Sequence, residues 1–163
     1  MLPNHEELIL RNPALGACLS WHVARSFADA RSGQPPELPY FVISAAMLFH
    51  GPTITKIYAM RFDSGLVKAV SEQPDVIAGL QSRLENNAKA ALKALQVGCA
   101  ARLLEREGGY GFPTFRAQGP DLPLKIRQGE GNVPRMINSA KRLGHWFAQE
   151  SFHDLQQQLR IEF

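Results

Sequence analysis

The sequence predicts a mainly α protein with a small β-ribbon, an α+β domain. Three observations carry that expectation. Apolar residues recur at helical spacing over most of the chain, proline, glycine and asparagine punctuate the breaks, and one stretch near residues 110–127 replaces the helical pattern with short aromatic and β-branched segments. The chain has 163 residues, 45% of them hydrophobic and 20% charged. That suits one folded domain over residues 1–163 with a sizeable core.

The first helix is expected from Ala14 to Arg31. Asn12 is a good N-cap and Pro13 is favoured at the first helical position. Leu15, Cys18, Leu19, Trp21, Val23 and Phe27 wrap more than half of it, so it should be largely buried. The second element, Leu38 to His50, is apolar on all sides and reads as a central core helix. A buried strand over Tyr40–Ile43 is the competing reading. Gly51-Pro52-Thr53 should stop it.

Helical pattern resumes at Ser64 and breaks at Pro74. Val76, Ile77, Leu80 and Leu84 then share one face, and Ala88 to Arg106 continues the helical run. The Asn86-Asn87 pair is a place where two helices could meet. Gly108-Gly109-Tyr110-Gly111 should end that run, with strands over Tyr110–Arg116 and Leu122–Arg127 around a turn at Ala117–Asp121. The cleanest amphipathic pattern predicts a helix over Pro134–Glu150, with Val133, Met136, Ile137, Ala140, Leu143 and Phe147 facing the core. Gly144 lies on that face. Glycine inside a helix costs about 1 kcal/mol relative to alanine, so another backbone should approach it closely. Ser151-Phe152-His153-Asp154 should cap a last helix over 152–158, and Leu159–Phe163 alternates like an edge strand.

No motif points to catalysis. The glycine-rich Gly108–Gly111 follows a helix rather than a strand and lacks a following Lys-Ser/Thr pair, so it does not read as a phosphate loop. Ser20 is not in a nucleophile elbow, and Glu105 and Glu107 sit two apart, on different helical faces. Cys18 and His22 could share a helical face, but two ligands do not close a zinc site. We therefore expect no enzyme activity, no cofactor, no metal and no small-molecule substrate. The two cysteines, Cys18 and Cys99, should be reduced and buried. No apolar run approaches a membrane span, and Met1–Glu7 lacks a basic leader, so a cytoplasmic protein is expected.

Charge is unevenly spread. Residues 81–145 hold 11 Lys/Arg against 5 Asp/Glu, while residues 1–80 hold 6 against 7. A basic middle can face nucleic acid. Lys89 and Lys93 share a helical face, and Arg116, Lys125 and Arg127 fall on the expected ribbon. A helix followed by a ribbon is the order of a winged helix, which makes these five residues the candidate DNA contacts. Trp146, beside Arg142 and His145, is the candidate anchor for a protein partner; the competing reading places the indole in the core.

The whole pattern resembles the middle component of bacterial three-component ABC systems, which include Lamassu-type systems. The likeness lies in Asn12–Ala17 opening a helix with Trp21, in Leu38–Ile43 running into Leu48–Thr53, in Leu80–Leu104 ending at Gly108-Gly109, and in Ala140–Ala148. The resemblance implies an adaptor between an SMC- or Rad50-like ATPase and an effector protein, often a nuclease, in anti-phage or anti-plasmid defence. It carries no catalytic motif. The alternative from the residues alone is a winged-helix transcription regulator.

Overall fold

The computed structural model describes residues 12–122 and 131–163. Lys125, Arg127 and nearly all of the strand expected over Leu122–Arg127 lie outside the described residues. Among those described, the elements in chain order are α1 (Pro13–Ala30), α2 (Leu38–Leu48), α3 (Gly51–Ala59), α4 (Leu66–Glu72), a single 3-10 turn (Pro74–Val76), α5 (Leu80–Ala100), β1 (Leu104–Glu107), β2 (Thr114–Ala117), α6 (Val133–Ala148) and α7 (Phe152–Leu159). The mainly α architecture with a two-stranded antiparallel ribbon is the one that the sequence predicts.

Helix α1 begins as its cap dictates. The Asn12 side-chain oxygen accepts from the backbone N–H groups of Ala14 and Leu15, satisfying two donors that have no partner within the helix. Helix α2 is the core helix: ten of its residues, Pro39 to Leu48, are buried. Gly51-Pro52-Thr53 does stop α2, but it also starts α3, which the sequence pattern did not reveal. Pro52 occupies the first turn of α3, where its missing N–H costs nothing. The two helices meet at a bend of 100°. No single described helix is long and apolar enough to cross a membrane.

Helix α5 is continuous through Asn86-Asn87. Asn87 is buried and its amide donates to the Arg83 carbonyl at 2.7 Å, one turn back. A side chain that can bond within its own helix gives no reason to break it. The helix ends earlier than expected, at Ala100, because Arg102 takes a positive φ of 60°. Residues Leu104–Glu107 then form β1, so the ribbon sits one segment earlier in the chain than its expected position. Leu104 pairs with Ala117, and Glu107 with Thr114. Gly108–Gly111 is therefore the hairpin tip and not a helix stop. The ribbon is tied to the α1–α2 connection instead of projecting as a free wing. Phe115 N–H donates to the Pro36 carbonyl, Leu38 N–H to the Pro113 carbonyl, and Trp21 Nε1 to the Gln118 carbonyl.

The expected edge strand at Leu159–Phe163 is absent. Arg160 adopts a left-handed conformation that closes α7, Ile161 tucks into the core, and Glu162 N–H donates to the Gln81 side chain.

The core is assembled around α1 through two crossings of small residues. Gly16 lies against Ala94 of α5, and Gly98 of α5 lies within reach of Ala17 and Leu104. On α6, a Cβ built on Gly144 would stand 2.4 Å from the Val23 carbonyl oxygen and 3.1 Å from the Phe27 nitrogen. Backbone meets backbone there, and this is the close approach that the glycine implies. Ser26 Oγ donates to the Lys141 carbonyl at 2.6 Å, and Arg31 donates to the carbonyls of Ala148 and Glu150 beyond the end of α6. Those carbonyls have no helical partner of their own, so α1 caps α6. Met136, Ile137, Ala140, Leu143 and Phe147 are buried as expected, while Val133 is only partly so.

A polar clamp closes the other end. Arg83 donates to the carbonyls of Ala46, Val76 and Ala78 and to Thr53 Oγ1, joining α2, α3, the 3-10 turn and α5. Thr53 Oγ1, which accepts from Arg83, also shares a hydrogen bond with His50 Nδ1 at 2.7 Å.

Two predictions follow from this packing. Gly144→Ala gains about 1 kcal/mol of helix propensity but forces α6 off Val23. Urea denaturation should show a net loss of about 1–3 kcal/mol, the usual range for overpacking. A stabilised variant would mean that the two backbones are not in contact. For His50, burial, Arg83 and Lys56 lower the pKa below its ordinary 6.5. The unfolded chain therefore takes up a proton that the native state resists, and the stability due to this site is full above pH 6.5 and declines as pH falls through that value. Melting temperature should drop between pH 7 and 5.5, and His50→Gln should flatten that part of the profile.

Candidate protein-docking groove

Helix α5 buries one face against α1 and α2 and turns another outward. Gln81, Glu85, Ala88, Leu92, Gln96 and Cys99 follow one another at spacings of three and four along that outer face. They form the floor of a groove. Its middle, about 540 Å³, is lined by Leu38, Val42, Leu84, Ala88, Leu92, Phe112 and Phe163. Toward the end of α5 it continues past Leu92 to Cys99, Pro113, Phe115 and Arg106. Toward the start of α5 it becomes polar, passing Gln81, Glu85 and Glu162 to His153, Gln157 and Arg160. At about 1.5 Å of rise per residue, Gln81 to Cys99 spans about 27 Å.

The large apolar side chains on this groove are only half covered: Leu92 is 46% exposed, Phe112 47% and Phe163 54%. Each comes from a different part of the chain. Phe112 is carried in by the hairpin, and Phe163 arrives at the end of α7, its ring 5.7 Å from Phe152. Such clustering marks an interaction surface more than scattered single exposures do. Glu85, Glu162 and Arg160 stand at one end and Arg106 at the other, and none of the four is in an ion pair among the described residues.

The described residues singled out from the sequence lie on three elements, α5, β2 and α6. Lys89 and Lys93 are exposed on α5, one step around the helix from the groove floor. Arg116 is partly exposed and already engaged on the ribbon. Its Nε donates to Glu107 across the ribbon at 2.8 Å, its Nη1 donates to the Gly33 carbonyl at 2.8 Å, and the bond to Glu107 raises its pKa further. Arg142 is half-buried, donating to the carbonyls of Met60 and Asn138. His145 stacks on Phe62 with ring centroids 4.5 Å apart.

Trp146 corrects the anchor expectation. It is 0% exposed and its Nε1 donates to the Phe62 carbonyl at 2.7 Å. Position 146 lies ten residues beyond Met136 and three beyond Leu143, squarely on the apolar face, and the loop Met60–Phe62 closes over it. The indole is a core group that pins the loop after α3, so Trp146 presents no surface for a partner.

Among the described residues no three His, Cys, Asp or Glu side chains converge as metal ligands would. His22 is buried on α1 and Cys18 is half-buried, and burial pushes the thiols of Cys18 and Cys99 upward, away from the reactive thiolate. The groove was missed from the sequence because its apolar rim is built by Phe112 and Phe163, which are far apart in the chain and meet α5 only after folding.

Trp146→Phe leaves the Phe62 carbonyl without its donor and opens a small cavity where the pyrrole part of the fully buried indole stood. Chemical denaturation should register a loss of about 1–3 kcal/mol, and an unchanged midpoint would show that the Phe62 loop does not depend on it.

No curated protein and no solved structure matches the chain. Residues 2–163 match the family described as ABC-three component (ABC-3C) system Middle Component 3, and this coverage of nearly the whole sequence places the chain in that family.

Proposed function

We propose that the protein is a non-catalytic adaptor that grips a helical segment of another component of its system in the groove along α5. Family membership makes the chain one part of a three-component ABC system. The observation that supports gripping is the groove itself: about 27 Å long, with a half-covered apolar middle, a polar end that carries Glu85 and Glu162, and Arg106 at the other end. An amphipathic helix of about five turns fits that length. Its apolar stripe would cover Leu92, Phe112 and Phe163, a basic side chain would meet Glu85 and Glu162, and an acidic one would meet Arg106.

In this reading the partners are an SMC- or Rad50-like ATPase and an effector such as a nuclease. The adaptor joins them in the cytoplasm, in defence against phage or plasmid DNA. Affinity comes from apolar burial at the centre of the groove, and orientation comes from the charged ends. Lys89 and Lys93 flank the groove and would be free to meet DNA in the assembled complex.

Co-expression with the adjacent system genes and affinity capture tests this. Leu92→Asp places a charge on an exposed position, so the fold should survive while recovery of the partner falls at least tenfold. Glu85→Lys should weaken capture less. Full recovery of every partner with Leu92→Asp, from a variant with the native melting temperature, rules the groove out as the docking site.

A further inference from the structure

A second surface, separate from the groove, has a different chemistry. The solvent face of α6 carries Arg135, Asn138, Lys141, Arg142 and His145, and the helix contains no Asp or Glu at all. Arg135, Lys141 and Arg142 form no ion pair among the described residues. Two aromatic rings border this face. Tyr58 of α3 is 40% exposed and Phe62 of the following loop is 44% exposed.

The rings and cations are already arranged against each other. The guanidinium carbons of Arg135 and Arg142 stand 5.4 and 5.6 Å from the Tyr58 ring centroid, and the His145 ring lies against Phe62 at 4.5 Å with the planes 35° apart. Arg142 is held in place by its bonds to Met60 and Asn138, and Phe62 by the Trp146 bond to its carbonyl. Arg142 and the Phe62 backbone therefore have little freedom to lose when a ligand arrives. Arg61 adds a further exposed cation, and Asp63 is the acid nearest in the chain. Asp29 and Asp121 lie across a cleft that also takes in Phe62 and Lys141, and Asp29 is engaged by Arg25 at 3.6 Å.

We propose that this face binds single-stranded nucleic acid. Arg135 and Lys141 would meet phosphates, with Arg142 held beside them, and Tyr58 and Phe62 would offer unstacked bases the part of their rings that Arg135, Arg142 and His145 leave exposed. Cations that follow a backbone beside exposed rings are the composition of a stacking platform. Duplex DNA, whose bases are already stacked, has no use for the rings. A purely acidic protein segment would use the cations but not the ring faces. The site is distinct from the ribbon residues that the sequence suggested, and it does not rest on the groove or on the adaptor reading.

Fluorescence anisotropy of the full chain with labelled oligothymidylate tests it, with a duplex of equal length and polyglutamate as competitors. Single strands should bind more tightly than duplex, with a slope of log affinity against log salt that becomes shallower by about 0.7 for each phosphate contact removed. Arg135→Gln combined with Lys141→Gln should reduce that slope. Tyr58→Ala and Phe62→Ala should each lower affinity about tenfold or more while leaving the slope unchanged. Leu92→Asp, in the groove, should bind as the parent does. The proposal is overturned by any of three results: no binding of single strands, equal affinity for duplex with the ring variants unaffected, or displacement by polyglutamate as efficient as by unlabelled oligonucleotide. The last would make the face a site for an acidic protein.

Discussion

The contact between Gly144 and the Val23 carbonyl is the constraint on which the rest of the structure depends. Any side chain at position 144 would hold α6 away from α1. With hydrogen there, the two helices close until backbone touches backbone. Ser26 can then reach the Lys141 carbonyl and Arg31 can cap the end of α6. Most of the apolar face of α6, from Met136 to Phe147, is buried by that closure, which fixes its basic face toward solvent. The same logic acts on the other side of α1, where Gly16 and Ala17 admit Ala94 and Gly98 of α5. Small residues on α1 and its neighbours thus decide which face of α5 is left over, and that face floors the groove.

Much of this was legible in the sequence, and what was not has physical reasons. Helix α1 announces itself through its Asn12 cap and apolar spacing, α2 through an unbroken apolar run and α6 through its spacing, and the need for a close backbone approach at Gly144 follows from helix propensity alone. The ribbon was misplaced by one segment. Leu104–Glu107 has the composition of a helix end, Leu-Glu-Arg-Glu, and becomes a strand only because Thr114–Ala117 returns to pair with it. Helix α3 was hidden because Gly51-Pro52 both ends one helix and begins the next. Trp146 has basic neighbours in sequence, but those neighbours point elsewhere, and its burial depends on the loop around Phe62 folding over it from a distant part of the chain.

The candidate sites show the same divide. Charge density in the middle of the chain is readable, yet its grouping is not. Arg116 spends its donors on Glu107 and Gly33, while Arg135, Lys141 and Arg142 gather on one helix face beside rings contributed by α3 and its loop. The two surfaces also differ in kind. The groove is apolar with charged ends, suited to a polypeptide. Helix α6 itself carries no carboxylate and its outer face is bordered by rings, suited to an anionic chain with planar groups. A subunit of a three-component system with both could hold a protein on one surface and sense nucleic acid on another, because each is fixed by its own crossing with α1.

Site-specific photo-crosslinking in the assembled complex tests most directly whether the groove is occupied. A benzophenone amino acid in place of Leu92 sits on the groove floor at an exposed position. The account predicts a covalent adduct to one defined polypeptide of the system, mapping to a single amphipathic segment of it. An intact complex that yields no adduct from this position would contradict the account.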